Sequence, residues 1–124
     1  MTYASTRLLF RPLEIKDAEE LFLHVYSDEN VNRYLRFETH KMKEETREVL
    51  TYFLENHHEI YVIIKKDTNE IIGTVEIADK SLENKTCAIG YLIGSKWWKM
   101  GYATESLKQT ISFLFQNFDY QLIE

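Results

Sequence analysis

The sequence predicts an α+β domain with a largely antiparallel sheet, and three observations carry that expectation. Apolar residues recur at helical spacing through the first half of the chain, the pattern then switches to β-branched runs joined by a short polar turn, and one more amphipathic helix separates the last two strands. Because a strand-helix-strand crossover returns in the same direction, that final pair is expected to be parallel. With 124 residues, 44% hydrophobic and 14% aromatic content, one proline and four glycines, the chain suits a single domain over residues 1–124 with no internal linker.

In chain order, the stretch RLLFRP (residues 7–12) alternates Leu8 and Phe10 against Leu9 and the arginines, and reads as a first strand ended by Pro12. From Asp17, the apolar positions Ala18, Leu21, Phe22, Val25 and Tyr26 form one helical face, with Asp17, Glu19 and Glu20 in the first turn where the helix dipole favours carboxylates. SDENVNRYL offers Ser27 as a cap for a short helical turn, and residues 43–56 place Val49, Leu50, Phe53 and Leu54 on one face of a further helix. IYVIIKK (60–66), the turn DTNE and IIGTVEIA (71–78) read as a hairpin, followed by a strand at TCAIGYLIG (86–94). Ala103, Leu107, Ile111, Leu114, Phe115 and Phe118 stripe the last helix, and YQLIE closes the sheet.

Composition narrows the function. A net charge of −5 argues against a general nucleic-acid binder, and no stretch approaches the roughly 18 apolar residues of a membrane span, so no membrane partner and a cytoplasmic location are expected. The lone Cys87 lies in an apolar run and reads as a buried, reduced thiol. His57 and His58 are adjacent, which points them apart on any regular element, and without a third ligand at metal spacing no metal site is expected.

The chemistry-bearing stretch is GSKWWKMGYATESL, where Gly101 and Ala103 open a helix behind a cluster of lysines. A helix N-terminus exposes unpaired backbone N–H groups and positive partial charge, and glycine lets a phosphate approach the backbone closely. The turn therefore either receives a pyrophosphate-like anion or simply starts an amphipathic helix. Lys96, Lys99 and Lys108 either add charge for a further phosphate or are solvated surface residues.

Motifs spread along the chain decide between such readings. Read together, TRLLFRP (6–12), DAEELF (17–22), SDENVNRYL (27–35), IGT (72–74), IGY (89–91) and WKMGYATE (98–105) resemble the GNAT N-acetyltransferase superfamily, in particular its ribosomal-protein N-terminal acetyltransferase branch. The resemblance implies a GNAT-like fold in which acetyl-CoA enters a splay between the fourth and fifth strands as co-substrate. It implies that Tyr91, Leu92 and Ile93 line the pantetheine channel, and that Trp98, Lys99, Met100, Gly101, Tyr102, Ala103 and Thr104 wrap the pyrophosphate. An oxyanion donor is expected from a backbone N–H at Leu92 or Ile93, and Glu76 is the candidate general base beside the histidine pair.

Two departures from the family pattern matter. Relatives carry W-G-K-G where this chain has Trp98, Lys99, Met100 and Gly101, and many carry a glutamate before I-G-Y where this chain has Ala88. Family members also continue beyond the fifth strand with a helix and a hairpin, so the resemblance implies a fold lacking both. An exposed edge at the fifth strand, or the outer face of the last helix, is then expected to be covered in a homodimer or higher assembly. Two functions stay open: an acetyl-CoA-dependent N-acetyltransferase acting on a protein N-terminus or small amine, and a non-catalytic module that binds CoA or serves as a dimerising partner.

Overall fold

A computed structural model describes residues 1–35, 38–118, 120, 122 and 123. Six strands form one sheet in chain order: β1 (Tyr3–Ala4), β2 (Leu8–Pro12), β3 (Glu59–Lys65), β4 (Glu70–Ser81), β5 (Thr86–Ile93) and β6 (Leu122–Ile123). Every neighbouring pair is antiparallel except β5 and β6, which run parallel as the crossover requires. Among the described residues four α-helical segments flank the sheet: α1 (Ala18–Leu21), α2 (Glu29–Leu35), α3 (Lys43–Glu55) and α4 (Tyr102–Asn117).

Both faces of the sheet are covered, which explains the continuous apolar run of β3. Tyr61 and Ile63 enter a cluster with Leu8, Phe10, Val75 and Phe113 of α4, while Ile60, Val62 and Ile64 enter a second one with Leu21, Val25 and Leu50 of the helices opposite. The first cluster accounts for β1, a strand that two residues of sequence could not announce. Tyr3 stacks between Phe10, at a centroid distance of 4.5 Å, and Phe113, at 4.1 Å, and its hydroxyl lies 2.8 Å from Thr110 Oγ1.

The helix expected from Asp17 is less regular than its periodicity suggests. A 3-10 turn (Ile15–Asp17) precedes α1, which widens into a π-helical segment (Phe22–Tyr26). Asp17 is buried and grips the guanidinium of Arg11 through both oxygens, at 2.7 and 2.9 Å, fixing the end of β2 to the helix start. At the widened turn, His24 Nδ1 lies 2.7 Å from the carbonyl of Ile71, and Glu20 accepts the N–H of Ile71 at 2.7 Å. His24 thus ties the π-helical segment to the start of β4 and packs edge-on against Trp97 at 5.1 Å.

Gly73 of β4 stands opposite Ile93 of β5. A Cβ there would lie 2.0 Å from the carbonyl oxygen of Leu92, so the glycine of the IGT stretch is sterically obligatory. Cys87 is buried, as expected, and burial pushes its thiol up. No helix of the described residues is long and apolar enough to cross a membrane.

Candidate active site: two cavities meeting on one strand

β5 pairs with β6 only at Thr86 and Cys87 among the described residues, so its edge beyond them opens onto a cavity instead of a strand. Which backbone groups face that cavity follows from register. Gly94 donates its N–H to Ile72 at 2.9 Å, opposite each other in the β4–β5 ladder, and antiparallel pairs alternate between bonded and non-bonded. Leu92 (opposite Thr74) and Gly90 (opposite Glu76) therefore direct their N–H and C=O groups at β4. Ile89, Tyr91 and Ile93 direct theirs outward. This corrects one expectation: the N–H of Leu92 is turned away as an oxyanion donor, and Tyr91 and Ile93 carry the outward N–H groups.

The cavity, about 700 Å³ in volume, runs from Ile89–Ile93 to the start of α4 and is lined there by Trp98, Lys99, Gly101, Tyr102, Ala103 and Thr104. Gly101, the residue before α4, has φ of 83°, and no side chain caps the helix. The first intrahelical bond runs from Glu105 N–H to the Gly101 carbonyl at 3.0 Å, which leaves the N–H groups of Tyr102, Ala103 and Thr104 beyond the reach of helical acceptors. Lys99 occupies the glycine position of the family turn and takes the conformation a glycine would take, with φ of 64°. The left-handed step thus carries a cationic side chain.

Neighbouring residues lock this turn. Arg7 bonds Glu105 Oε1 at 2.6 Å, donates to the carbonyl of Met100 at 3.0 Å, and lies 4.3 Å above the ring centroid of Tyr102. Glu105 also accepts from the Ser5 hydroxyl at 2.6 Å and from Arg7 N–H at 2.9 Å. Burial pushes the Glu105 carboxyl up, but the hydrogen bonds from Ser5 and Arg7 outweigh it and hold the group below the usual glutamate value. Met100 is the exception among the expected turn residues: its carbonyl faces Arg7, its side chain is half exposed, and it does not line the cavity. Trp97 is buried in the core and reaches the cavity wall beside Trp98, which is partly exposed and anchors its ring by donating Nε1–H to Ile93 O at 2.8 Å. Asp28 of the 27–35 stretch accepts the Ser95 N–H at 2.7 Å, bracing the same loop from α2.

A second cavity, about 620 Å³, opens on the other face of β5 and shares Gly90, Tyr91 and Leu92 with the first. Its walls are Val49, Phe53, Ile60 and Thr74, with Tyr26, His40, Glu38, Glu45 and Glu76 as the polar groups. Burial, and secondarily the charge of Glu76, pushes the Tyr26 phenol up to about 12, so it stays protonated. His40 stacks on Tyr26 at 5.0 Å and its Nδ1 lies 2.7 Å from Thr46 Oγ1. Glu45 caps α3 by accepting the N–H groups of Lys41 and Met42. Glu76 stands directly opposite Gly90, with Oε2 only 2.8 Å from His58 Nδ1.

Sequence reasoning named Glu76 and His58 separately but could not pair them, because their contact depends on the β3–β4 register. His40, which no sequence motif singles out, lines the second cavity. Its signal was absent, since the loop that brings it over Tyr26 has no periodicity.

This architecture coincides with a known family. Residues 7–124 match the acetyltransferase (GNAT) domain, and the chain belongs to this family of N-acetyltransferases. Among curated proteins it resembles the uncharacterized N-acetyltransferase p20 of Bacillus licheniformis, at 29% identity over 127 residues, covering 99% of this chain and 71% of that protein. A GNAT-family acetyltransferase from Bacillus anthracis superposes with a TM-score of 0.79 at 26% identity, over 94% of this chain and 68% of the other. The fold is also shared with a Salmonella typhimurium acetyltransferase that modifies the N-terminal serine of ribosomal protein L7/L12, with a TM-score of 0.77 at 20% identity, over 99% of this chain and 74% of that one.

Proposed function

We propose that the protein transfers the acetyl group of acetyl-CoA to a primary amine, either a protein N-terminal α-amine or a small amine. The observation that carries this reading is the meeting of two chemically different cavities at Gly90, Tyr91 and Leu92. One ends at uncapped helix N–H groups and a lysine, suited to a pyrophosphate. The other is lined by Glu38, Glu45 and Glu76, with no lysine or arginine among the described residues, suited to a cation.

The donor set fits coenzyme A. Tyr102, Ala103 and Thr104 offer main-chain N–H groups, Gly101 leaves the approach open, and the outward edge of Ile89, Tyr91 and Ile93 offers strand-type hydrogen bonds to an amide-bearing arm. The bound thioester supplies an activated acetyl carbonyl. On this reading Glu76 takes the amine proton, directly or through one water, as the amine nitrogen bonds the acetyl carbon; the C–S bond then breaks and coenzyme A leaves as a thiolate that solvent protonates. The demand on Glu76 is small for an α-amine, whose reference pKa is about 7.7–8, and larger for a lysine side chain near 10.4. The N–H of Tyr91 or Ile93 stabilises the developing oxyanion, a contribution of roughly 10²–10³ in rate for one such donor.

The test is calorimetric titration with acetyl-CoA followed by thiol release across a panel of amines. Saturable binding with amine-dependent thiol release is the expected result. Binding without release on any amine supports the non-catalytic module instead, and absence of binding overturns the reading.

A further inference from the structure

The contact between His58 and Glu76 joins the turn after α3 to the middle of β4. His57 takes a left-handed step, with φ of 57°, and the N–H of His58 then donates to the Phe53 carbonyl at 3.0 Å, so the chain turns and the His58 ring faces β4. The ring is held from the other side by Phe53, at 4.9 Å between centroids, and by Tyr52 at 5.8 Å. Its Nδ1 lies 2.8 Å from Glu76 Oε2, and both side chains are about one third exposed. Glu76 lines the second cavity and His58 does not, so the imidazole stands behind the carboxylate. Among the described residues no protein group donates to Oε1.

We propose that His58 is a positioning residue for acetyl transfer: by donating Nδ1–H to Oε2 it fixes the Glu76 carboxylate so that Oε1 faces the acceptor amine opposite Gly90. The inference rests on the reading of Glu76 as the base. A base works only within about 2.6–3.2 Å of the proton it takes, and a glutamate on a strand has three side-chain torsions to restrain. One hydrogen bond to a ring wedged between two aromatic residues and the sheet removes that freedom. An ordinary surface ion pair has none of these consequences, since its loss leaves turnover untouched.

The experiment compares wild type, His58→Ala, His58→Asn and Glu76→Gln, each checked for folding by thermal melting, in thiol release from acetyl-CoA with an alanine-terminated peptide and putrescine as amine probes. Asparagine can place an amide nitrogen near the position of Nδ1. His58→Ala is expected to lower kcat at least about tenfold with KM for acetyl-CoA unchanged, and His58→Asn to recover most of the loss, because misplacement of about 1 Å costs on the order of 10²-fold. Loss in Glu76→Gln with full activity in His58→Ala overturns the positioning role and leaves the base in place. Full activity in Glu76→Gln removes the base and this inference together. Independently of any acceptor, imidazole nitrogen NMR is expected to show the Nδ1–H form of His58 in wild type and its loss in Glu76→Ala, which keeps no acceptor at that position; an unchanged tautomer overturns the hydrogen bond.

Discussion

Gly90 offers the sharpest separation between folding and function. A Cβ built at this residue meets nothing within 4 Å, yet Gly90 borders both cavities and stands opposite Glu76. In Gly90→Val the added carbons extend roughly 2.5 Å from the backbone, at bond lengths near 1.5 Å, into the space where acceptor and acetyl group must meet. Reacting atoms have to come within about 3–3.5 Å, and displacement by about 1 Å costs on the order of 10²-fold, or about 2.7 kcal/mol of barrier. Stability should move the other way, since replacing glycine by a β-branched residue in a strand gains up to about 1 kcal/mol where no clash intervenes. The assay is kcat/KM by thiol release beside thermal melting. A variant that melts at or above wild type and has lost at least about 100-fold in activity is expected. Unimpaired activity in the folded variant would refute the claim that the reaction takes place at Gly90.

Gly101→Val should weaken acetyl-CoA binding while preserving the sheet, because φ of 83° costs a β-branched residue about 1–2 kcal/mol and its Cβ starts 3.3 Å from the Arg7 guanidinium; undiminished affinity by calorimetry contradicts the turn's role. Glu105→Gln should destabilise the protein at pH 7 and flatten its acid response. The folded carboxyl lies below its unfolded value of about 4.3, so its stabilisation is present above that pH and lost as pH falls through the folded value; parallel acid unfolding curves for wild type and variant refute this. Ile111, Phe115 and Phe118 on α4 remain exposed, and light scattering over a concentration series should detect association that buries them; a monomer at high concentration shows otherwise.

The fold was legible where periodicity was strong. Thr86–Ile93 and Tyr102–Asn117 fall within a residue or so of their expected limits because alternation and helical striping each reflect a covered face. The π-helical turn at Phe22–Tyr26 was not, since it accompanies a long-range tie between His24 and Ile71. The helix start at Gly101 and Ala103 was legible as a small-residue turn, within which Lys99 takes a left-handed, glycine-like conformation. Of the two residues expected to offer an oxyanion donor, Leu92 and Ile93, only Ile93 directs its N–H outward, a distinction that depends on strand register and that no local pattern encodes. The second cavity was least legible, because Tyr26, His40, Glu76 and Gly90 come from four separate segments.

Acetyl-CoA is proposed to lie between the open edge of β5 and the start of α4. Backbone amide NMR during titration with acetyl-CoA tests it most directly. The account predicts saturable shifts concentrated at Tyr91, Ile93, Lys99 and Gly101 through Thr104, with the core of β3 unmoved. Saturable shifts confined to other surfaces, with these amides unchanged, would contradict it.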